Sequence, residues 1–269
     1  MDDNPYRAIE CGEPGRIGWR VRYYDSLPST QIKAADLVTT GEPTGTVVIA
    51  DCQTAGRGRL GRSWHSPAGL NLYLSVILRT RLAPSMYPQI SLVAGVAATE
   101  ALESFAPGLV ALKWPNDLWL GGKKTGGILA ETAGTQSTAD AAVLLGIGIN
   151  VNLDRDQMTP DIVARATSVR IATGKPCNRI ALAAALFERL NRRLGELEQS
   201  GFGSIRPLWE RYSALTGKRV TVINGSERQT GVVKGIDSDG ALLLDGEGGP
   251  ERIIAGDVSL EGAYGQDGE

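Results

Sequence analysis

The sequence predicts an α+β protein in two parts: mixed strands and helices up to about residue 216, then a small β-barrel. Three observations carry this. Short β-branched runs alternate with amphipathic or Ala-rich helical stretches over the first two hundred residues. The stretch DAAVLLGIGINVN is apolar on both faces, as a central strand must be. From Lys218 the texture changes to close, evenly spaced strands with Gly and Asp between them, the pattern of a small barrel.

Residues 1–20 are rich in Gly, Pro and charge and predict an extended or mobile arm. WRVRYYDSL reads as a strand, and Ser29 or Thr30 can cap the helix QIKAADLVTT, which stops at Gly41. TGTVVIADCQ is the next strand; NLYLSVILR follows a glycine-rich loop and places Leu72, Leu74, Val76 and Leu78 on one face. SLVAGVAATEALESF is a core helix, VALKW and DLWL are strands joined at Pro115–Asn116, and GGILAETA precedes the central strand. Helices are expected at about 161–173, at NRIALAAALFERLNRRLGELEQ behind an Asn178 cap, and at SIRPLWERYSALT. KRVTVIN, RQTGVVKGID, ALLLDG, ERIIAG and DVSLE are the barrel strands.

Composition bounds the chemistry. The 269 residues suffice for one large domain and one small one, and a net charge of −2 gives no molecule-wide footprint for DNA or RNA. No apolar run approaches the roughly 18 residues of a membrane span, and the N-terminus lacks a signal-peptide core. Three scattered cysteines without a CxxC pair suggest reduced thiols and a cytoplasmic protein. The single histidine, His65, disfavours a histidine triad or a His-rich metal site, which leaves Arg, Lys, Asp and Asn to do the work.

GRGRLGR, residues 56–62, concentrates three arginines on a flexible backbone. Gly56, Gly58 and Gly61 satisfy G-x-G-x-x-G, but a Pro- and Gly-containing strand follows where a dinucleotide site needs a helix. A nucleic-acid loop would lack a supporting basic face, so an anion clamp and a solvated turn remain. KWPND (113–117) sets an amide and a carboxylate at a strand mouth, or is simply a β-turn. Lys124 stands before Gly127 at the entry to a buried strand, either facing an anion or solvated in a hairpin. Asn150 ends the central strand, where it could read a nucleobase or merely close a turn.

In this order the elements PST (28–30), QTAGRGRLGRSW (53–64), KWPND, KTGGIL (124–129) and GIGINVN (146–152) resemble the biotin–protein ligase family over about residues 21–262. The resemblance implies a mixed, class II synthetase-like sheet of about seven strands with helices on one face, and a C-terminal SH3-like barrel. It divides the chain into an arm at 1–20, a catalytic biotin- and ATP-binding domain at 21–216 and the barrel at 217–262. It also implies a two-step reaction: biotin and ATP give biotinyl-5′-AMP, and a lysine of the acetyl-CoA carboxylase carrier domain then takes the biotin.

By resemblance, Ser29 and Thr30 hold biotin's ureido ring, and Gln53, Gly56, Arg57 and Arg59 lie along biotin and the new acyl phosphate. Arg59 and Arg62 face the ATP phosphates, Trp64 stacks on adenine, and Asn116 and Asn150 complete the nucleotide site. Lys124 bridges the biotin carboxylate and the α-phosphate, and Gly127 lets the backbone close on biotin. Asp117 assists the incoming carrier lysine, so the catalytic set is Lys124, Arg59 and Asp117. Magnesium is expected on the ATP phosphates rather than in a protein cage. Two departures from the family pattern are Gln31, where Asn is usual, and Glu261, where some members carry Arg. Some 20 residues before the core are too few for the winged helix of repressor members, so a ligase that does not bind DNA is expected. A weak or ligand-dependent homodimer is left open. The nearest rival is a lipoate ligase or octanoyl transferase of shared fold; a non-enzymatic biotin sensor is the second.

Overall fold

The computed structural model describes residues 4–9, 17–80, 82–134 and 141–260; Glu261 lies outside them. The larger part is a seven-stranded mixed sheet in the order β1-β2-β3-β7-β6-β5-β4. Its strands are β1 (Arg20–Leu27), β2 (Thr46–Gln53), β3 (Leu72–Leu78), β4 (Val110–Lys113), β5 (Asp117–Leu120), β6 (Lys123–Ala133) and β7 (Ala142–Ile149). Only β1 and β2 run parallel; every other neighbouring pair is antiparallel.

Alternation along the strands separates two cores. Val47, Ile49, Leu72, Leu74, Val76, Val143, Leu145 and Ile147 point to one face. There they pack with α2 (Tyr87–Glu103), α4 (Arg179–Ser200) and the short α5 (Arg206–Tyr212). Val48, Ile77, Ala142 and Leu144 point the other way and pack with Ala34 and Val38 of α1 (Thr30–Thr39). The large helices therefore share one face as expected, and α1 adds a partial layer on the opposite face. β3 is buried at all seven positions because both layers cover it.

Two sequence expectations for the larger part and its arm change. The helix expected at 161–173 is confined to α3 (Val169–Thr173), capped by Ser168. The residues before it instead bridge to β6: Lys124 N donates to Arg165 O at 3.0 Å, and Thr167 N donates to Lys124 O at 2.8 Å. Backbone pairing with a strand end outcompetes a helix with no apolar stripe to bury. The described part of the arm is not free either. Tyr6 is buried with its ring 5.9 Å from that of Tyr23, and Trp19 stacks on Phe187 at 5.0 Å.

The C-terminal part is a five-stranded antiparallel sheet, β8 (Arg219–Asn224), β9 (Glu227–Ile236), β10 (Leu242–Gly246), β11 (Gly249–Ile253) and β12 (Asp257–Leu260). Its order is β11-β10-β9-β8-β12; among the described residues the two outer strands share no ladder, so the expected barrel is open at that seam. A buried hydrogen bond joins it to the larger part: Trp114 Nε1 donates to Gly240 O at 3.0 Å.

Candidate active site

The face that carries α1 also carries a row of directly opposed residues running across four strands: Lys113, Asp117, Gly127 and Gly148. Opposed residues in antiparallel pairs share a face, so the two charged side chains and the two glycines line one floor. Over the glycines lies the indole of Trp64. A Cβ at Gly148 would stand 2.8 Å from Trp64 Cε2, and one at Gly127 3.6 Å from Trp64 Cζ3. Glycine at Gly148 is therefore a packing requirement, because real Cβ contacts do not come so close.

Lys124 closes one side of this space. Its Nζ is 2.6 Å from Asp117 Oδ1 and 5.6 Å from the centre of the Trp64 ring. An ammonium on an indole face gains a cation–π contact, and one carboxylate oxygen of Asp117 pairs with it. Trp64 Nε1 is buried and has no hydrogen-bond partner among the described residues. A buried, unpaired N–H costs about 1–3 kcal/mol, and this one is packed against the Gly148 floor.

A second cluster forms at the start of α1. Gln53 Oε1 accepts from Thr30 N at 2.9 Å and from Thr30 Oγ1 at 3.2 Å, while Gln53 Nε2 donates to Ser66 Oγ at 2.9 Å. Ser75 Oγ donates to Thr30 Oγ1 at 2.9 Å. Ser29 is the N-cap of α1, accepting from Gln31 N at 3.2 Å. Gly56 seats the loop against this cluster: a Cβ there would meet Trp64 O at 2.5 Å and Ser66 Oγ at 2.7 Å.

The arginine-glycine segment between the clusters is a tight hairpin. Gly58 N donates to Arg62 O at 2.7 Å, Trp64 N donates to Gly56 O at 2.8 Å, and Arg57 and Ser63 form a bridge. Leu60 at its tip takes a positive φ of 55°. Arg59 Nη1 donates to Asn116 Oδ1 at 3.0 Å, and Asn116 Nδ2 donates to Ile128 O at 2.7 Å. Burial lowers the Arg59 pKa, opposed by Asp257 and Asp117, and the guanidinium stays charged. Arg62 is paired with Asp257 on β12.

The chain is similar to known proteins over most of its length. A family described as "Biotin/lipoate A/B protein ligase family" matches residues 23–150, and "Biotin protein ligase C terminal domain" matches 215–261. The bifunctional ligase/repressor BirA of Bacillus subtilis (strain 168) is 37% identical over 246 residues, covering 91% of this chain and 75% of the relative. The chain belongs to the biotin protein ligase family. A biotin--[acetyl-CoA-carboxylase] ligase of Mycobacterium tuberculosis is 33% identical over 250 residues, 90% of this chain and 89% of that one. The biotin protein ligase from Aquifex aeolicus in complex with biotin and ATP superposes with a TM-score of 0.78 at 32% identity. It covers 90% of this chain and 98% of the other.

Against this biotin protein ligase frame, the structure brings together most residues singled out in the sequence. Thr30, Gln53, Gly56 and Trp64 are linked through Ser66, and Lys124, Asp117 and Gly127 meet under Trp64. Asn150 is buried at the end of β7, its Nδ2 donating to Thr167 O at 3.1 Å. The Ser29 hydroxyl is engaged in the cap, and Arg57 is exposed with no side-chain partner among the described residues. Gln31 does not join the site's polar groups: its Nε2 donates to Glu131 Oε2 at 3.0 Å and Leu144 O at 3.3 Å, with Oε1 buried against Gly146. Sequence reading missed Ser66, Ser75, Gly148 and Asp257. The i, i+2 glycines of GIGIN were the available hint for Gly148; nothing local announced Asp257 as the partner of Arg62.

Proposed function

We propose that this chain is a biotin–[acetyl-CoA-carboxylase] ligase that makes biotinyl-5′-AMP from biotin and ATP, then transfers biotin to a lysine of the carboxylase's carrier domain. The observation that carries the reading is the meeting of Lys124, Asp117 and Trp64 over the Gly127–Gly148 floor, with the arginine hairpin closing beside it.

The first step joins two anions, a carboxylate and a triphosphate, and so needs fixed positive charge where they meet. Biotin's ureido end sits in the Ser29, Thr30 and Gln53 cluster, where hydroxyl and amide groups are already oriented by one another. Gly56 and Gly127 allow the backbone to approach the ligand, and Arg57 lies along biotin. Lys124 and Arg59 hold the carboxylate and α-phosphate together, Arg62 leaves Asp257 for the ATP phosphates, and Trp64, Asn116 and Asn150 hold the nucleotide. In the second step Asp117, paired with Lys124 before substrate arrives, orients or deprotonates the incoming carrier lysine, whose neutral amine bonds to the acyl carbon as the bond from that carbon to the phosphate oxygen breaks and AMP leaves. Residues 21–216 carry this chemistry and 217–262 support it. Magnesium enters on the ATP phosphates, the protein works in the cytoplasm without DNA or membrane, and any homodimer is weak or ligand-dependent.

Transfer of radiolabelled biotin to a purified carrier domain tests the function directly. Biotin-dependent ATP–pyrophosphate exchange that lipoate does not support is expected. Exchange driven by lipoate instead would move the chain to the neighbouring lipoate chemistry.

A further inference from the structure

Four cations gather around two carboxylates at the site: Arg59, Arg62, Lys113 and Lys124 with Asp117 and Asp257. The carboxylates are taken, Asp117 by Lys124 and Asp257 by Arg62. Arg59 rests on the neutral amide of Asn116. Lys113 has less. Among the described residues its ammonium has no hydrogen bond and no carboxylate within ion-pair distance, only the face of Trp119 at 5.3 Å. It is half-buried, and burial lowers its pKa against the pull of Asp117 and Asp257, with Lys124 and Arg62 pushing the same way as burial. A lysine held out of water without a counterion is costly unless an anion completes it.

Its place in the fold says which anion. The ureido cluster lies at α1 and β2, the Lys124–Trp64 centre lies at β6, and Lys113 ends β4, the outermost strand, opposite Asp117. Two strand spacings, about 10 Å, separate β4 from β6. Attacking and leaving groups stand roughly in line across a transferring phosphorus. With the carboxylate arriving from the α1 side, the leaving group departs toward β4 and the C-terminal sheet. We propose that Lys113 binds the β- and γ-phosphates of ATP and holds pyrophosphate as it leaves, a binding residue for the leaving group distinct from the Lys124 centre. In that step the biotin carboxylate oxygen forms a bond to the α-phosphorus. The bond from that phosphorus to the bridging oxygen breaks, and pyrophosphate departs with the electron pair, its new charge met by the ammonium. The proposal rests on the ligase reading above.

The test uses the full chain and inorganic pyrophosphate with magnesium as the probe. Calorimetric titration is expected to show pyrophosphate binding by the wild type and at least about tenfold weaker binding by Lys113→Met, the scale of one lost hydrogen bond to a charged group. KM for ATP in adenylate formation should rise by a similar factor, and the Kd for biotin should stay within about twofold, since Lys113 lies away from the ureido cluster. Lys113→Arg should recover much of the pyrophosphate affinity. Undiminished pyrophosphate binding by Lys113→Met, no binding by the wild type at millimolar pyrophosphate, or an equal loss of biotin affinity would each overturn the proposal. A wild type that binds pyrophosphate through Lys113 yet makes no biotinyl adenylate would instead refute the ligase reading and leave the subsite standing.

Discussion

Single atoms set the tolerance of this site. Adding one methyl at Gly148 forces the Trp64 indole off the floor, because Cβ would lie 2.8 Å from two of its ring atoms. Gly148→Ala is therefore expected to weaken ATP binding by about tenfold or more, read by calorimetry, with the fold kept. Lys124→Ala removes the cation between Asp117 and Trp64. Single-turnover adenylate formation should fall by about 100- to 1000-fold, the scale of one well-aimed electrostatic group; formation at the full wild-type rate would remove Lys124 from the reaction. Much of the clustering at this scale was legible beforehand, since GRGRLGR, KWPND and KTGGIL each contribute a charged or amide group to the cluster that the structure forms. Lys113 lay inside one of those motifs and passed as its first letter, because burial without a counterion is not visible until β4 is seen beside Trp119. Asp257 was invisible for a similar reason: its partner, Arg62, is far away in sequence.

Elements show where local preference and tertiary demand part. The α1 cap was readable as Ser29 or Thr30, and the structure gives the cap to Ser29 and the Gln53 contact to Thr30. Ser29→Ala should cost about 1 kcal/mol of stability, measured by denaturant titration. It should also raise the biotin Kd, since the helix start orients Thr30. Asn178 caps α4 through Ile180 N and Ala181 N, as its sequence suggested. The stretch before α3 misled because its backbone partners come from Lys124, a contact no periodicity encodes. The arginine hairpin is another tertiary product, with Gly58 N, Arg62 N and Trp64 N all donating within it. Exchange of these amides should slow when biotin and ATP are both present. Equal rates with and without ligand would argue that the hairpin does not close on them.

For the whole molecule, the joint between the two sheets decides more than either sheet alone. Gly240, at φ +88°, sits so close to α2 that a Cβ would lie 2.3 Å from Leu92 Cδ1, and its carbonyl accepts from Trp114. Gly240→Val should lower Tm and slow adenylation together, since Trp114 leads directly into Asn116 and Asp117. The same loop carries an acid-sensitive clasp. Asp237 has its pKa lowered: burial opposes the shift, but Arg252 and the amides of Asp239 and Ala241 outweigh it. A carboxylate with a depressed folded pKa stabilises above its unfolded value, near 4, and loses that contribution as pH falls through the folded value. Stability should thus decline below about pH 4, and Asp237→Asn should flatten that part of the curve. One consequence of the joint concerns hybrids made by exchanging C-terminal sheets among relatives. Such a chimera inherits its new sheet together with a turn that must present a bare carbonyl to an indole on the other side. Exchanges that carry over residues 237–241 and keep Trp114 with Leu92 should yield working enzymes. Those cut between strands without regard to that turn should fold as two pieces that no longer hold one active site.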